Sequence, residues 1–173
     1  MKNTYNGRFG LFDSLKKLLL LVLLFGGFST FAQTTYQVGT GTGTNAYFPL
    51  YTYYGYTYSE QIYLASELTA QGATAGTISK IRFYYASAGT TTLSDDSWVV
   101  FLGNTSQSSF SSTSNYVTSN NMTSVYSGSV TFPSTGGNWM EISLTTPFLW
   151  DGVSNLIVGV DQNEPGYDYP YAY

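Results

Sequence analysis

Few side chains in this sequence can do chemistry. Among 173 residues there is no histidine and no cysteine, and only 9% are charged. Ser–His and Cys–His nucleophiles and the common zinc sites are therefore excluded. A glycosidase needs only two carboxyl groups across a cleft. Glu141 is the candidate acid, because strand alternation sets it on the same face as Trp139. The sequence identifies no second carboxylate for it, and a surface acid on a solvent-facing strand is the plainer reading. A second group of acids lies near the end of the chain. Asp161, Glu164 and Asp168 surround Asn163, and Asp151 and Asn155 lie one strand earlier. Hard cations take carboxylate, amide and carbonyl oxygens, so a structural Ca²⁺ is an expectation for Asp151, Asp161, Glu164 and Asp168. The spacing is not that of an EF-hand loop, and solvated turn residues are the alternative. No other cofactor is indicated. Asp95-Asp96 reads as an exposed turn.

The densest feature is aromatic. Seven of the 17 tyrosines fall between Tyr47 and Tyr63: Tyr47, Tyr51, Tyr53, Tyr54, Tyr56, Tyr58 and Tyr63. Tyrosine can sit half buried, with an apolar ring and a polar tip. If Tyr51 to Tyr58 is one extended strand, Tyr51 and Tyr53 face one side and Tyr54, Tyr56 and Tyr58 the other. Exposed rings would offer flat apolar platforms to the C–H faces of sugars, and a large exposed aromatic patch tends to mark an interaction surface. Rings packed between sheets are the alternative. The candidate ligand-binding set is thus Tyr51, Tyr53, Tyr54, Tyr56, Tyr58, Trp139 and Glu141.

The elements that hold these residues begin after a leader. Lys16 and Lys17 precede the apolar run Leu18 to Phe25, which relaxes into small residues ending at Ala32. This is the pattern of a signal peptide, 1–32, with cleavage expected after Ala32. The run falls short of the ~20 residues that span a bilayer, and no other stretch is long enough. Residues 33–173 keep only Lys80 and Arg82 against nine acids, a formal net charge of −7. A nucleic-acid partner needs a basic footprint, and an anionic membrane surface is disfavoured for the same reason. The remaining length suits one domain with its own core, held together without disulfides.

Residues 33–173 read as β throughout, rich in Tyr, Thr, Val, Ile, Phe and Trp and poor in helix formers. Strands are expected at Thr35 to Thr40, Thr77 to Tyr85, Ser97 to Leu102, Ser124 to Phe132, Trp139 to Leu144 and Asn155 to Val160. Gly39 to Thr44 reads as a turn. In Thr77 to Tyr85, alternation puts Ile78, Lys80, Arg82 and Tyr84 on one face and Ile81, Phe83 and Tyr85 on the other. Met140, Ile142 and Leu144 should face away from Trp139, Glu141 and Ser143. The apolar runs Trp98 to Leu102 and Leu156 to Val160 suggest central strands. Glu60 to Leu68 fits a helix as well as a strand. Ser106 to Ser114 reads as an exposed, mobile loop. Seven or eight short strands point to an all-β, antiparallel β-sandwich of jelly-roll type. The aromatic ending at Tyr173 suggests a module cut short by about one strand.

Three stretches carry a resemblance. They are Tyr53-Tyr54-Gly55-Tyr56-Thr57-Tyr58-Ser59-Glu60-Gln61-Ile62-Tyr63; Gly76-Thr77-Ile78-Ser79-Lys80-Ile81-Arg82-Phe83-Tyr84-Tyr85; and Asn138-Trp139-Met140-Glu141-Ile142 with Pro147-Phe148-Leu149-Trp150-Asp151-Gly152 and Asn155-Leu156-Ile157-Val158. Together they resemble the N-terminal β-sandwich module of large secreted proteins of the Bacteroidota. The resemblance implies export, and neighbours such as fibronectin type III or cleaved-adhesin-like domains and a type IX secretion sorting domain. It implies no catalytic residues. The leading expectation is a secreted or cell-surface, non-catalytic module that binds carbohydrate or another surface ligand, periplasmic if no sorting domain is attached. A structural spacer beside neighbouring domains is the alternative, and a fragment of a carbohydrate-active enzyme the third reading.

Overall fold

The computed structural model describes residues 33–39, 45, 47–51, 53–86, 94–117 and 121–166. The leader 1–32, most of the Gly39 to Thr44 turn, and Asp168 lie outside them. Six strands and one helix run in the order β1 (Thr57–Tyr63), α1 (Ala65–Ala70), β2 (Gly76–Tyr85), β3 (Ser94–Thr105), β4 (Thr123–Thr131), β5 (Asn138–Trp150) and β6 (Asn155–Gln162). All of them belong to the unit Tyr36–Tyr173.

The strands form two antiparallel sheets, β1-β6-β3-β4 and β2-β5. An eight-stranded jelly roll pairs its first, eighth, third and sixth strands in one sheet and its second, seventh, fourth and fifth in the other. The order seen here is that pattern with the fourth and fifth strands replaced by the connection 106–122. The all-β sandwich expected from composition is the fold. Among the described residues it has six strands rather than seven or eight, because the Ser-rich stretch does not pair.

The core lies between the sheets. Trp98, Val100 and Leu102 of β3, Val125 and Val130 of β4, Met140, Ile142 and Trp150 of β5, and Leu156, Val158 and Val160 of β6 are buried together. β3 and β6 sit inside their sheet, which accounts for their continuous apolar runs. Ile157 is also fully buried, but on the outer face of that sheet. β5 alternates as expected, with Met140 and Ile142 buried and Trp139, Glu141 and Ser143 exposed.

Three expectations need correction, and the open reading of Glu60 to Leu68 is resolved. Residues 35–39 form no strand; no sheet strand pairs with them, and an unpaired strand has no ladder to hold it. Glu60 to Leu68 is strand and helix in turn. β1 ends at Tyr63, and α1 starts where the Ala65 N–H donates to Asn155 Oδ1 (2.8 Å) and the Leu64 N–H to Glu67 Oε2 (2.9 Å). Asp95-Asp96 lies within β3 rather than in a turn. Ile78 packs against the core instead of sharing the outer face of Lys80, Arg82 and Tyr84. The register shifts between Ile78 and Lys80, and a bulge of this kind exchanges the two faces of a strand.

The described parts of the β3–β4 connection, 106–117 and 121–122, lie over the outer face of the four-stranded sheet, and side chains from distant strands tie them down. The Val117 N–H donates to Glu60 Oε2 (2.7 Å), and Asn155 Nδ2 donates to the Gln107 carbonyl (3.0 Å). Two glycines leave room for it. A Cβ on Gly103 would lie 3.0 Å from both the Asn121 carbonyl oxygen and Met122 Cγ, and one on Gly159 3.2 Å from Tyr58 Oη. Ser106 to Ser114 is thus mostly exposed, as expected, but sits in an anchored connection.

Candidate functional site

The tyrosine run is not one strand. Only its last part, from Thr57, joins β1; residues 53–56 form a turn and bends. The two-sided alternation expected for Tyr51 to Tyr58 is therefore replaced by a folded loop. The Thr57 hydroxyl donates to the Tyr54 carbonyl (2.8 Å), and the Ser59 hydroxyl donates to the Pro49 carbonyl. The Gly55 N–H donates to the Gly166 carbonyl (2.8 Å). Gly55 allows this approach, because a Cβ there would collide with the Glu164 carbonyl oxygen.

This folding gathers rings that alternation would have separated. Tyr51 lies 4.9 Å from Tyr47, 5.9 Å from Tyr53 and 5.6 Å from Tyr54, centroid to centroid, and Tyr53 meets Tyr54 edge to face at 4.7 Å. Tyr51 and Tyr53 are half-buried supports. Tyr47, Phe48, Tyr54 and Tyr56 are exposed, Tyr54 by 59% and Tyr56 by 69%. Tyr56 also has φ +58°, in the left-handed region that costs a bulky L-residue about 1–2 kcal/mol.

Tyr58 belongs elsewhere. It lies on the outer face of β1, beside Tyr116 at 5.4 Å, and its hydroxyl donates to Glu60 Oε1 (2.6 Å). Burial, and then the hydrogen bond to Glu60, push its phenol well above the ordinary tyrosine range. It acts as a clamp under the 106–122 connection and leaves the candidate ligand-binding set. Glu60, only 5% exposed, was not singled out by the sequence; its bond to Val117 spans 57 residues and leaves no local signal.

Trp139 and Glu141 form a second location, on the outer face of the β2-β5 sheet. The register sets Tyr84 opposite Trp139, Arg82 opposite Glu141 and Lys80 opposite Ser143, and all six are exposed. The Tyr84 and Trp139 rings meet at 5.2 Å in an edge-to-face contact. Lys80 Nζ donates to Glu141 Oε1 (2.6 Å), and Arg82 Nε donates to Oε2 (2.7 Å) and forms an ion pair through its terminal nitrogen. Hydrogen bonds from Lys80 and then Arg82 hold the Glu141 carboxyl below the usual carboxylate range. A glycosidase acid needs the opposite displacement.

Among the described residues, Asp151 and Asp161 of the acids considered for Ca²⁺ do not converge. Asp151 Oδ1 accepts from the Val153 N–H (2.9 Å) and the Ser154 N–H (2.7 Å), and Oδ2 accepts from the Ser154 hydroxyl (2.6 Å). These bonds fix the β5–β6 turn and hold the Asp151 carboxyl below its ordinary range. Asp161 is at the far end of β6, about 20 Å away at ~3.3 Å per residue. Asp151 and Asp161 therefore cannot share an ion. Among the described residues no three acids group as a metal site, and Asp168 lies outside them.

Among the described residues no helix is long and apolar enough to cross a membrane. Comparison with protein families, with curated proteins and with solved structures finds no match to this chain.

Proposed function

We propose that the chain is an exported, non-catalytic binding module whose aromatic loop 47–56 takes carbohydrate or a similar flat ligand in adhesion. One observation carries this reading. Four large aromatic side chains, Tyr47, Phe48, Tyr54 and Tyr56, stand exposed on one loop, and Tyr56 keeps its ring there at the expense of a left-handed backbone. Strain of this kind persists where the surroundings enforce it, and clusters at functional sites. Tyr51 and Tyr53, half-buried beneath, limit the freedom of Tyr54, so little ordering cost remains when a ligand lands. Export to the surface or periplasm rests on the leader-like start, and the likeness to Bacteroidota modules is in keeping with it.

The test is a glycan array with the wild-type chain, Tyr54→Ala and Tyr56→Asn. Asparagine tolerates the left-handed region, so Tyr56→Asn should match or exceed the wild type in stability while losing at least ten-fold in binding. Wild-type binding that neither substitution weakens overturns the assignment to this loop. No binding to any glycan leaves the spacer reading.

A further inference from the structure

The outer face of the β2-β5 sheet carries an arrangement that the aromatic loop does not use. Lys80 and Arg82 are the only basic residues in 33–173, and both lie on this face. They surround a single carboxylate, Glu141, so the patch carries a net charge of +1 in a segment of −7. The next register step along the same face holds the Tyr84–Trp139 pair, with Tyr84 56% and Trp139 42% exposed.

We propose that this face is a second binding site, for an anionic polysaccharide of the hexuronate class. A uronate ring has an apolar C–H face and one carboxylate. The indole and phenol offer a surface for the first, and the guanidinium and ammonium offer charge-assisted donors for the second. The spacing suits a chain of sugars. Lys80 to Tyr84 covers about 14 Å, with the two strands ~4.8 Å apart, which is room for two or three rings laid along the strands. A protein partner would need about 800 Å² on each side. This strip of two rings and three charged groups is several-fold smaller, so a linear ligand fits it better than a folded one. Glu141 orients both cations before the ligand arrives, yet also competes with the ligand's carboxylate.

That competition gives a result that a merely structural ion pair would not. Affinity electrophoresis of the full chain through gels containing polygalacturonate, with a chelator present, should retard the wild type, and a neutral glucan gel should not do so through this face. Arg82→Gln and Trp139→Ala should each weaken retardation by at least ten-fold with the circular dichroism unchanged. Glu141→Gln should strengthen it several-fold, because the amide no longer competes with the ligand's carboxylate for the two cations. Tyr54→Ala and Tyr56→Asn should leave polygalacturonate binding as it is, so failure of this site and failure of the loop are told apart. The proposal is overturned by no retardation of the wild type, by retardation indifferent to Arg82→Gln, or by weaker binding in Glu141→Gln. It is also overturned by concentration-dependent self-association that Arg82→Gln abolishes, which would make the face a contact between copies.

Discussion

Glu60→Ala is the most informative perturbation of the fold. Glu60 is 5% exposed, and its carboxylate ties β1 to the backbone at Val117. It sits on β1, receives the Tyr58 hydroxyl at 2.6 Å and receives the Val117 N–H at 2.7 Å. Hydrogen bonds to a charged group are worth ~1.5–3 kcal/mol each. Truncation removes both and leaves a backbone N–H with no acceptor, while relieving the desolvation of one carboxylate. The net loss should be about 3–4 kcal/mol, a large part of a domain's stability, or a melting temperature lower by about 10 °C for a domain of this size. Glu60→Gln is the matched control. Its amide oxygen can face the Val117 N–H and its amide nitrogen can donate to Tyr58 Oη, so both positions stay paired and the loss should stay within ~1 kcal/mol. Urea unfolding followed by tryptophan fluorescence gives both values, and amide exchange at Val117 reports the local release of the connection. A Glu60→Ala loss below ~1 kcal/mol refutes the clamp. A Glu60→Gln loss equal to that of alanine shows that charge, rather than hydrogen-bond pairing, holds the segment.

Other predictions follow from the same contacts. Gly103→Ala puts a methyl against the Asn121 carbonyl oxygen and Met122 Cγ, both 3.0 Å away, and against Ile157 Cγ2 at 3.1 Å; it should cost about 1–3 kcal/mol in urea unfolding. The Tyr58 and Tyr63 phenols are both raised, chiefly by burial. A raised folded pKa gives stability that is fully present below the unfolded value of ~10 and lost as pH rises through the folded value, so stability should fall above pH ~10, less steeply in Tyr63→Phe. The Glu141 and Asp151 carboxyls are lowered. Their contribution is present above the unfolded values near ~4 and lost as pH falls, so acid melts of Glu141→Gln should show a shallower decline than the wild type, with the difference shrinking in high salt.

The strands were legible where one physical signal acted alone. Met140 and Ile142 alternate with Trp139, Glu141 and Ser143 over an uninterrupted ladder, and the structure keeps that alternation. Leu156 to Val160 reads as an interior strand because β1 and β3 cover both its edges, while the core covers one face and residues such as Met122 the other. Alternation failed where the backbone departs from the β region. Tyr is a good strand former, so Tyr51 to Tyr58 looks extended in propensity alone. The Gly55 contact with Gly166 and the positive φ of Tyr56 instead close a turn. The sites show the same division. Alternation put Lys80, Arg82 and Tyr84 on one face and Trp139 and Glu141 on another, but only the register joins the two rows. Register depends on the irregularity that sets 144–147 of β5 against Ser79; Pro147 marks a break in the ladder there, but not the size of the shift.

The two outer faces of the sandwich are treated in opposite ways, and the contrast bears on both binding proposals. The four-stranded sheet is roofed by 106–117 and 121–122. Gly103 and Gly159 keep that face low, Tyr58 and Tyr116 meet at a tilt at its margin, and Glu60 is buried there. A buried carboxylate is costly unless fully paired, so this roof is a specific and closed arrangement. The two-stranded sheet has no such roof among the described residues. Its side chains are long, charged or aromatic, and its cations are aligned by an exposed ion pair of a kind that contributes little to stability. An ion pair that adds little to folding is a weak reason to gather both bases of a −7 segment beside an exposed indole. Electrostatic complementarity acts mainly on encounter and specificity, and the surrounding acids would repel anions everywhere except here. If the patch serves folding alone, Lys80→Gln and Arg82→Gln should lower the melting temperature and leave ligand binding as it is. If it serves recognition, the same substitutions should leave the melting temperature within ~2 °C and abolish only the salt-sensitive part of ligand binding.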